Sequence, residues 1–233
     1  MKKRLASALK AALLLSVILM TAACSDDSAD DLYALPKGAE EYVYLEREIN
    51  MLLSKGAEYS PPLSGSYRQS VQLEDLDGDG ENEAIVFLSA TAEERPLRMY
   101  IFKNDGEKVY QAALVDGDGT SFDSVNYMDL NGDGFSEIIV GRQVTSSAKM
   151  LTIYSTKNFE MSVLLSTDYM EYSLCSLSDH SGTDIFVIKD AEGTDQAKEA
   201  NLFFFNDEGN IIETKAALSR GIESISRLRT TNL

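Results

Sequence analysis

Two periods of apolar spacing divide the chain. Residues 38–55, GAEEYVYLEREINMLLSK, place Tyr42, Leu45, Ile49, Leu52 and Leu53 on one stripe at a period near 3.6. Acids lead this segment, Lys55 trails it and Gly56 follows, which is the charge order and stop signal of an α-helix. The pattern predicts one amphipathic helix. Its acidic polar face suits covering the main domain rather than lying in a membrane. YSPPLSG then interrupts the chain, and beyond it the apolar period drops to two.

The alternating part repeats. A first unit runs YRQSVQLEDL, an aspartate-rich loop, EAIVFLSA, LRMYIFK and VYQAALV. A second runs FDSVNYMDL, a like loop, EIIVGRQV, MLTIYST and MSVLLST, and a third runs MEYSLCSL, DIFVIKD, NLFFFND and NIIETKAAL. Corresponding loop positions are Asp75, Asp129 and Ser176, spaced by 54 and 47 residues. A fourth unit begins at GIESISRLRT. Four short strands per repeat of this length describe the blades of a radial array. The expectation is an all-β fold. It is a partial β-propeller of four-stranded antiparallel blades, about three plus a stub, preceded by one amphipathic helix. Four blades is the usual minimum for closure, so strand edges need cover from the helix and linker, from a partner, or from further chain. The end at RLRTTNL, inside a strand-like run, points to a chain that continues.

The first residues read differently. MKKRLASALK is basic, AALLLSVILM is an apolar run too short for an ordinary membrane span, and TAACS sets small residues before Cys24. This resembles the lipobox of bacterial lipoproteins, with Thr21 where that box usually has leucine. The resemblance implies cleavage before Cys24 and lipid on its thiol. SDDSADD then reads as a solvated tether. The expected division is 1–23 signal peptide, 24–37 tether, 38–66 helix and linker, and 67–233 repeat domain. The only other cysteine, Cys175, lies in an alternating apolar run and reads as a core residue.

Charge narrows the partners. The chain has 233 residues, 38 acidic and 21 basic, for a net charge of −17. Without Lys2, Lys3, Arg4 and Lys10 the remainder holds 17 basic residues against 38 acidic, or −21. Such a surface repels nucleic acid and suits divalent cations.

The acids are not spread evenly. In DLDGDGENEAIVF, Asp75, Asp77 and Asp79 stand at positions 1, 3 and 5, with Gly80 at 6, the Glu81 carbonyl at 7 and Glu83 at 9. In DLNGDGFSEIIVG the same places fall to Asp129, Asn131, Asp133, Gly134, the Phe135 carbonyl and Glu137. Hard oxygens at alternate positions of a tight loop suit calcium, which takes six to eight of them in an adaptable shell. Position 12 is Val86 or Val140, inside a strand-like run, so an EF-hand is excluded. Aspartate and glycine also make turns without metal. Two full patterns, each followed by an acid and a strand, favour two calcium sites. The third loop offers Ser176, Ser178, His180 and Asp184, too little charge, and is expected to be metal-free. Asp116 and Asp118 of VDGDGTSFD lack the sixth-position glycine and read as turn residues.

DLDGDGENEAIVF and DLNGDGFSEIIVG resemble the calcium loops of FG-GAP/VCBS repeats, the blades of integrin-α-like propellers. The resemblance implies a loop that joins two strands of a blade and holds calcium at its rim. The order of helix, broken linker and repeats is also similar to that of a group of Gram-positive lipoproteins. Together these imply a lipid-anchored, extracytoplasmic, calcium-binding module for binding or adhesion at the cell surface, with a protein or glycan as ligand. No GxSxG, HExxH or P-loop is present, so catalysis is not expected. An envelope enzyme acting on glycans and a structural assembly role are the alternatives.

Overall fold

A computed structural model describes residues 40–90, 94–105, 108–176, 182–191, 198–206 and 208–216. Cys24, the signal and tether segments, Ser178, His180 and the fourth unit from Gly221 lie outside the described residues. Among the described residues no helix is long and apolar enough to cross a membrane.

Helix α1 (Glu40–Ser54) forms where the 3.6 period predicts it. Its end closes in a Schellman arrangement. The Ala57 N–H donates to Leu52 O at 3.4 Å, the Gly56 N–H donates to Leu53 O at 3.0 Å, and Gly56 has φ +93°. Leu45 and Ile49 are buried against Ala84, Val86, Leu88, Tyr100 and Phe102, while Tyr42, expected on the same stripe, is exposed. The helix therefore covers a face of the first sheet, not its edge.

Three antiparallel sheets follow in chain order. The first holds β1 (Glu58–Tyr59), β2 (Val71–Glu74), β3 (Glu83–Ser89), β4 (Leu97–Asn104) and β5 (Val109–Gly117). It is four strands wide, because β1 and β2 share one edge of β3. Ser60 N donates to Phe87 O and Phe87 N to Ser70 O, so residues 61–69 leave the edge and the chain returns in register at Ser70. Outside the sheet this excursion reaches the next one, with Leu63 N on Phe122 O at 3.1 Å and Ser64 N on Asp123 O at 2.7 Å. Pro61 and Pro62 have no N–H for a ladder, which explains why the edge strand opens there.

The second sheet is β6 (Ser121–Met128), β7 (Glu137–Gln143), β8 (Lys149–Tyr154) and β9 (Val163–Tyr169). The third is β10 (Glu171–Cys175), β11 (Asp184–Asp190), β12 (Lys198–Phe205) and β13 (Ile211–Ala216). Each sheet runs in simple up-and-down order, as the blade reading requires. β3 and β7 are buried along almost their full length, which is why EAIVFLS and EIIVGRQ read as near-continuous apolar runs. One core joins the first two sheets through Ile85, Phe87, Met99, Phe122, Val125 and Val140. Another joins the second and third through Ile139, Leu151, Ile153, Ile185, Val187 and Phe203. The architecture is three four-stranded antiparallel sheets without a closed barrel, consistent with a partial propeller.

Candidate metal centre

Both aspartate loops are built by the same hydrogen bonds. Each connects two neighbouring strands of its sheet, β2 to β3 and β6 to β7. In the first, Asp75 accepts from Gly78 N (2.8 Å) and Gly80 N (3.0 Å), and Asp79 accepts from Glu81 N (2.8 Å). In the second, Asp129 accepts from Gly132 N (2.7 Å) and Gly134 N (3.0 Å), and Asp133 accepts from Phe135 N (3.1 Å). The position-9 glutamates bend back to the second residue of their loops. Glu83 Oε2 accepts from Leu76 N at 2.9 Å and Glu137 Oε2 from Leu130 N at 2.8 Å. Both glutamates are buried. Aspartate supplies these contacts because its short carboxylate reaches its own loop's N–H groups.

The loops also touch each other. Leu76 O accepts from Ser136 N at 2.9 Å, and the buried Thr156 hydroxyl donates to Leu76 O (3.2 Å) or Ser136 O (3.0 Å). Gly78, at φ +73°, passes so close that a Cβ there would stand 2.8 Å from Gly134 O. The spacing of 54 residues gave no sign of this contact.

Electrostatically the two loops differ. In the first, one oxygen from each of Asp75, Asp77 and Glu83 lies within 4.8 Å of the others. The ammonium of Lys103 sits on this group, donating to Asp77 Oδ2 (2.5 Å), Asp79 Oδ2 (2.9 Å) and Glu83 Oε1 (2.9 Å). Burial alone would lower the Lys103 pKa, but the hydrogen bonds to Asp77, Asp79 and Glu83 more than offset it and hold the group firmly protonated. The hydrogen bond from Lys103 is also the main reason Asp79 lies below the usual carboxylate range. Burial raises Glu83, opposed by the Leu76 N–H and Lys103.

The second loop has Asn131 in place of Asp77. Its amide donates to Glu137 Oε1 at 2.9 Å. By the hairpin register, Ala84 pairs Phe102 and Ile138 pairs Tyr154, so the place of Lys103 is taken by Ser155. Lys157 reaches only Asp133 Oδ2, at 3.3 Å, and its side chain is 57% exposed. Burial pushes Glu137 up to about 7, helped by Asp133 and Asp129 against the Leu130 and Asn131 donors.

Residues 75–140 match the family model of the FG-GAP-like repeat. The chain carries an FG-GAP-like repeat. The matched stretch runs from the first aspartate of one loop to the strand after the other. No curated protein and no solved structure matches the chain.

Of the ligands expected in the first FG-GAP-like loop, the structure draws together Asp75, Asp77 and Glu83, with Asp79 joined through Lys103; Glu81 lends its N–H. Hard carboxylate oxygens so gathered fit a calcium ion in their chemistry. In the second loop Asp129, Asn131, Asp133, Phe135 and Glu137 are occupied with one another, and among the described residues no acidic triad forms there. Sequence reading missed Lys103. The available signal was a lysine at the end of LRMYIFK, which hairpin pairing sets beside the position-9 acid. Asp116 and Asp118 face arginines, Arg98 at 3.4 Å and Arg142 respectively, which suits turn residues. Asp184 of the third loop is buried, and Cys175 packs beside Phe186 and Ile188.

Proposed function

We propose that this chain is a calcium-stiffened binding or adhesion module, held on the outer side of a bacterial cell membrane by lipid on Cys24. The gathering of Asp75, Asp77 and Glu83 on an FG-GAP-like loop carries the calcium part of this reading. Carboxylate oxygens gathered this closely suit a divalent ion, and an ion that takes them ties β2 to β3. The role is structural. The ion secures a rim, and the sheets present the surface that meets a protein or glycan. The chain performs no catalysis of its own.

Isothermal calorimetry and thermal melting of the full chain test this. Extracellular calcium modules bind at about 10⁻⁴–10⁻³ M, and a ligand of the folded state raises the melting temperature by mass action. Asp75→Ala should abolish binding at the first loop and the shift that goes with it. The loop pattern calls for two ions per chain and the gathered geometry for one, so the stoichiometry separates them. No binding at several millimolar calcium would reduce the aspartates to turn formers. Incorporation of labelled fatty acid, lost in Cys24→Ala, tests the anchor.

A further inference from the structure

We propose that Lys103 is the built-in cation of the first aspartate loop, and that calcium enters this loop only by displacing its ammonium. The proposal rests on the calcium reading and names the residue that sets the affinity. All three ammonium hydrogens are spent on carboxylates, those of Asp77, Asp79 and Glu83. Two of these residues, Asp77 and Glu83, belong to the triad that an ion would need. An ammonium and a divalent ion cannot share those oxygens, because their like charges would stand within a few ångströms.

The chain contains its own control. Asp77 and Lys103 in the first loop correspond to Asn131 and Ser155 in the second. The extra acid and the extra base come together, as expected if the lysine neutralises that acid. The lysine also meets an aromatic ring. Its Nζ lies 5.4 Å from the centroid of the Phe159 ring, and Phe159 stands at φ +59° between β8 and β9. A phenylalanine at positive φ carries backbone strain. The aromatic face lies against the ammonium. The first loop therefore keeps its shape without metal, and calcium must replace three charge-assisted hydrogen bonds before it binds.

The test is Lys103→Met in the full chain, with Lys103→Gln beside it should the first variant fold poorly. Calcium is titrated by calorimetry, and the Gly78 and Gly80 amide resonances report filling of the first loop. The expected result is binding at the first loop at least tenfold tighter than in wild type, with a lower melting temperature in chelator. In the wild type, calcium should move the Lys103 Nζ resonance together with the two glycine amides. Unchanged or weaker binding in both variants, or a lysine resonance that stays put while the glycines move, would overturn the exchange and leave the calcium reading standing. If wild type and variants alike bind no calcium, both readings fall.

Discussion

The two aspartate loops share a backbone and differ in how each treats a buried glutamate. In the first loop Glu83 meets a lysine ammonium, and one negative charge of the cluster is cancelled within the chain. In the second, Glu137 meets an asparagine amide, which can satisfy an oxygen but cannot cancel a charge. Burial then raises Glu137 to about 7, whereas Glu83 has an ammonium beside it to oppose the same effect. The hydrogen-bond ladder from aspartate to glycine N–H evidently fixes the shape of both loops, and the residue facing position 9 fixes the charge. A repeat can thus keep its fold while its units diverge in what they need from solution.

The largest expected effect comes from removing the cation that makes the first loop different. Lys103→Met leaves Glu83 and Asp77 facing each other without a counter-charge, and breaking a largely buried pair costs about 3–5 kcal/mol. Lys157→Met removes a contact whose lysine is mostly in water, for about 0–1 kcal/mol. Urea denaturation in chelator should separate these variants clearly. Equal losses would mean that Lys103 is no more than a surface partner. Converting the loop fully, with Asp77→Asn and Lys103→Ser together, should cost less than Lys103→Ser alone, since the acid leaves with its base.

Next comes the contact between the loops. Gly78 and Gly132 hold the same place in the pattern and nearly the same φ, +73° and +75°. An added Cβ meets Gly134 O at 2.8 Å in the first case and open space in the second. Gly132→Ala should therefore cost only its backbone strain, about 1 kcal/mol. Gly78→Ala should cost about 2–3 kcal/mol, because the loops must also part. Calorimetric melting of both variants compares them directly. Identical losses would remove the inter-loop contact from the account.

Much of this was legible in the sequence because it depends on local pattern. The apolar runs became β3, β7 and β11, Gly56 ends the helix, and the glycines of the two loops take the positive φ that the Asp-x-Asp-Gly pattern demands. What was not legible depends on register between strands. Glu58–Tyr59 is too short to read as a strand, and it shares the edge of β3 with β2 across a nine-residue excursion. Lys103 looked like the polar end of a strand, and its meaning came only from the residue across the ladder. Tyr42 has the right spacing for the helix stripe, yet it stays half exposed at the mouth of a cavity lined by Leu45, Ala84 and Phe102, which it does not fill.

The smallest effect is a pH dependence that should belong to one loop alone. Glu137 has an ordinary pKa of 4.5 that rises to about 7 in the folded chain. A carboxyl group raised on folding contributes stability that is full below its unfolded value and is lost as pH climbs through the folded one. Metal-free protein should therefore lose on the order of 2–3 kcal/mol from this group between about pH 4.5 and 7. Asp129 and Asp133 face the same carboxyl group and push the same way, while Lys157 acts only through Asp133. Glu137→Gln keeps the shape and removes the proton equilibrium, so its stability in chelator should vary less with pH than wild type over that window. Calcium bound at the second loop would hold Glu137 ionised and flatten the wild-type curve too. A wild-type profile flat in chelator, or one unaltered by Glu137→Gln, would show that the asparagine neutralises its glutamate as well as the lysine does, and the contrast between the loops would then be one of sequence without consequence for charge.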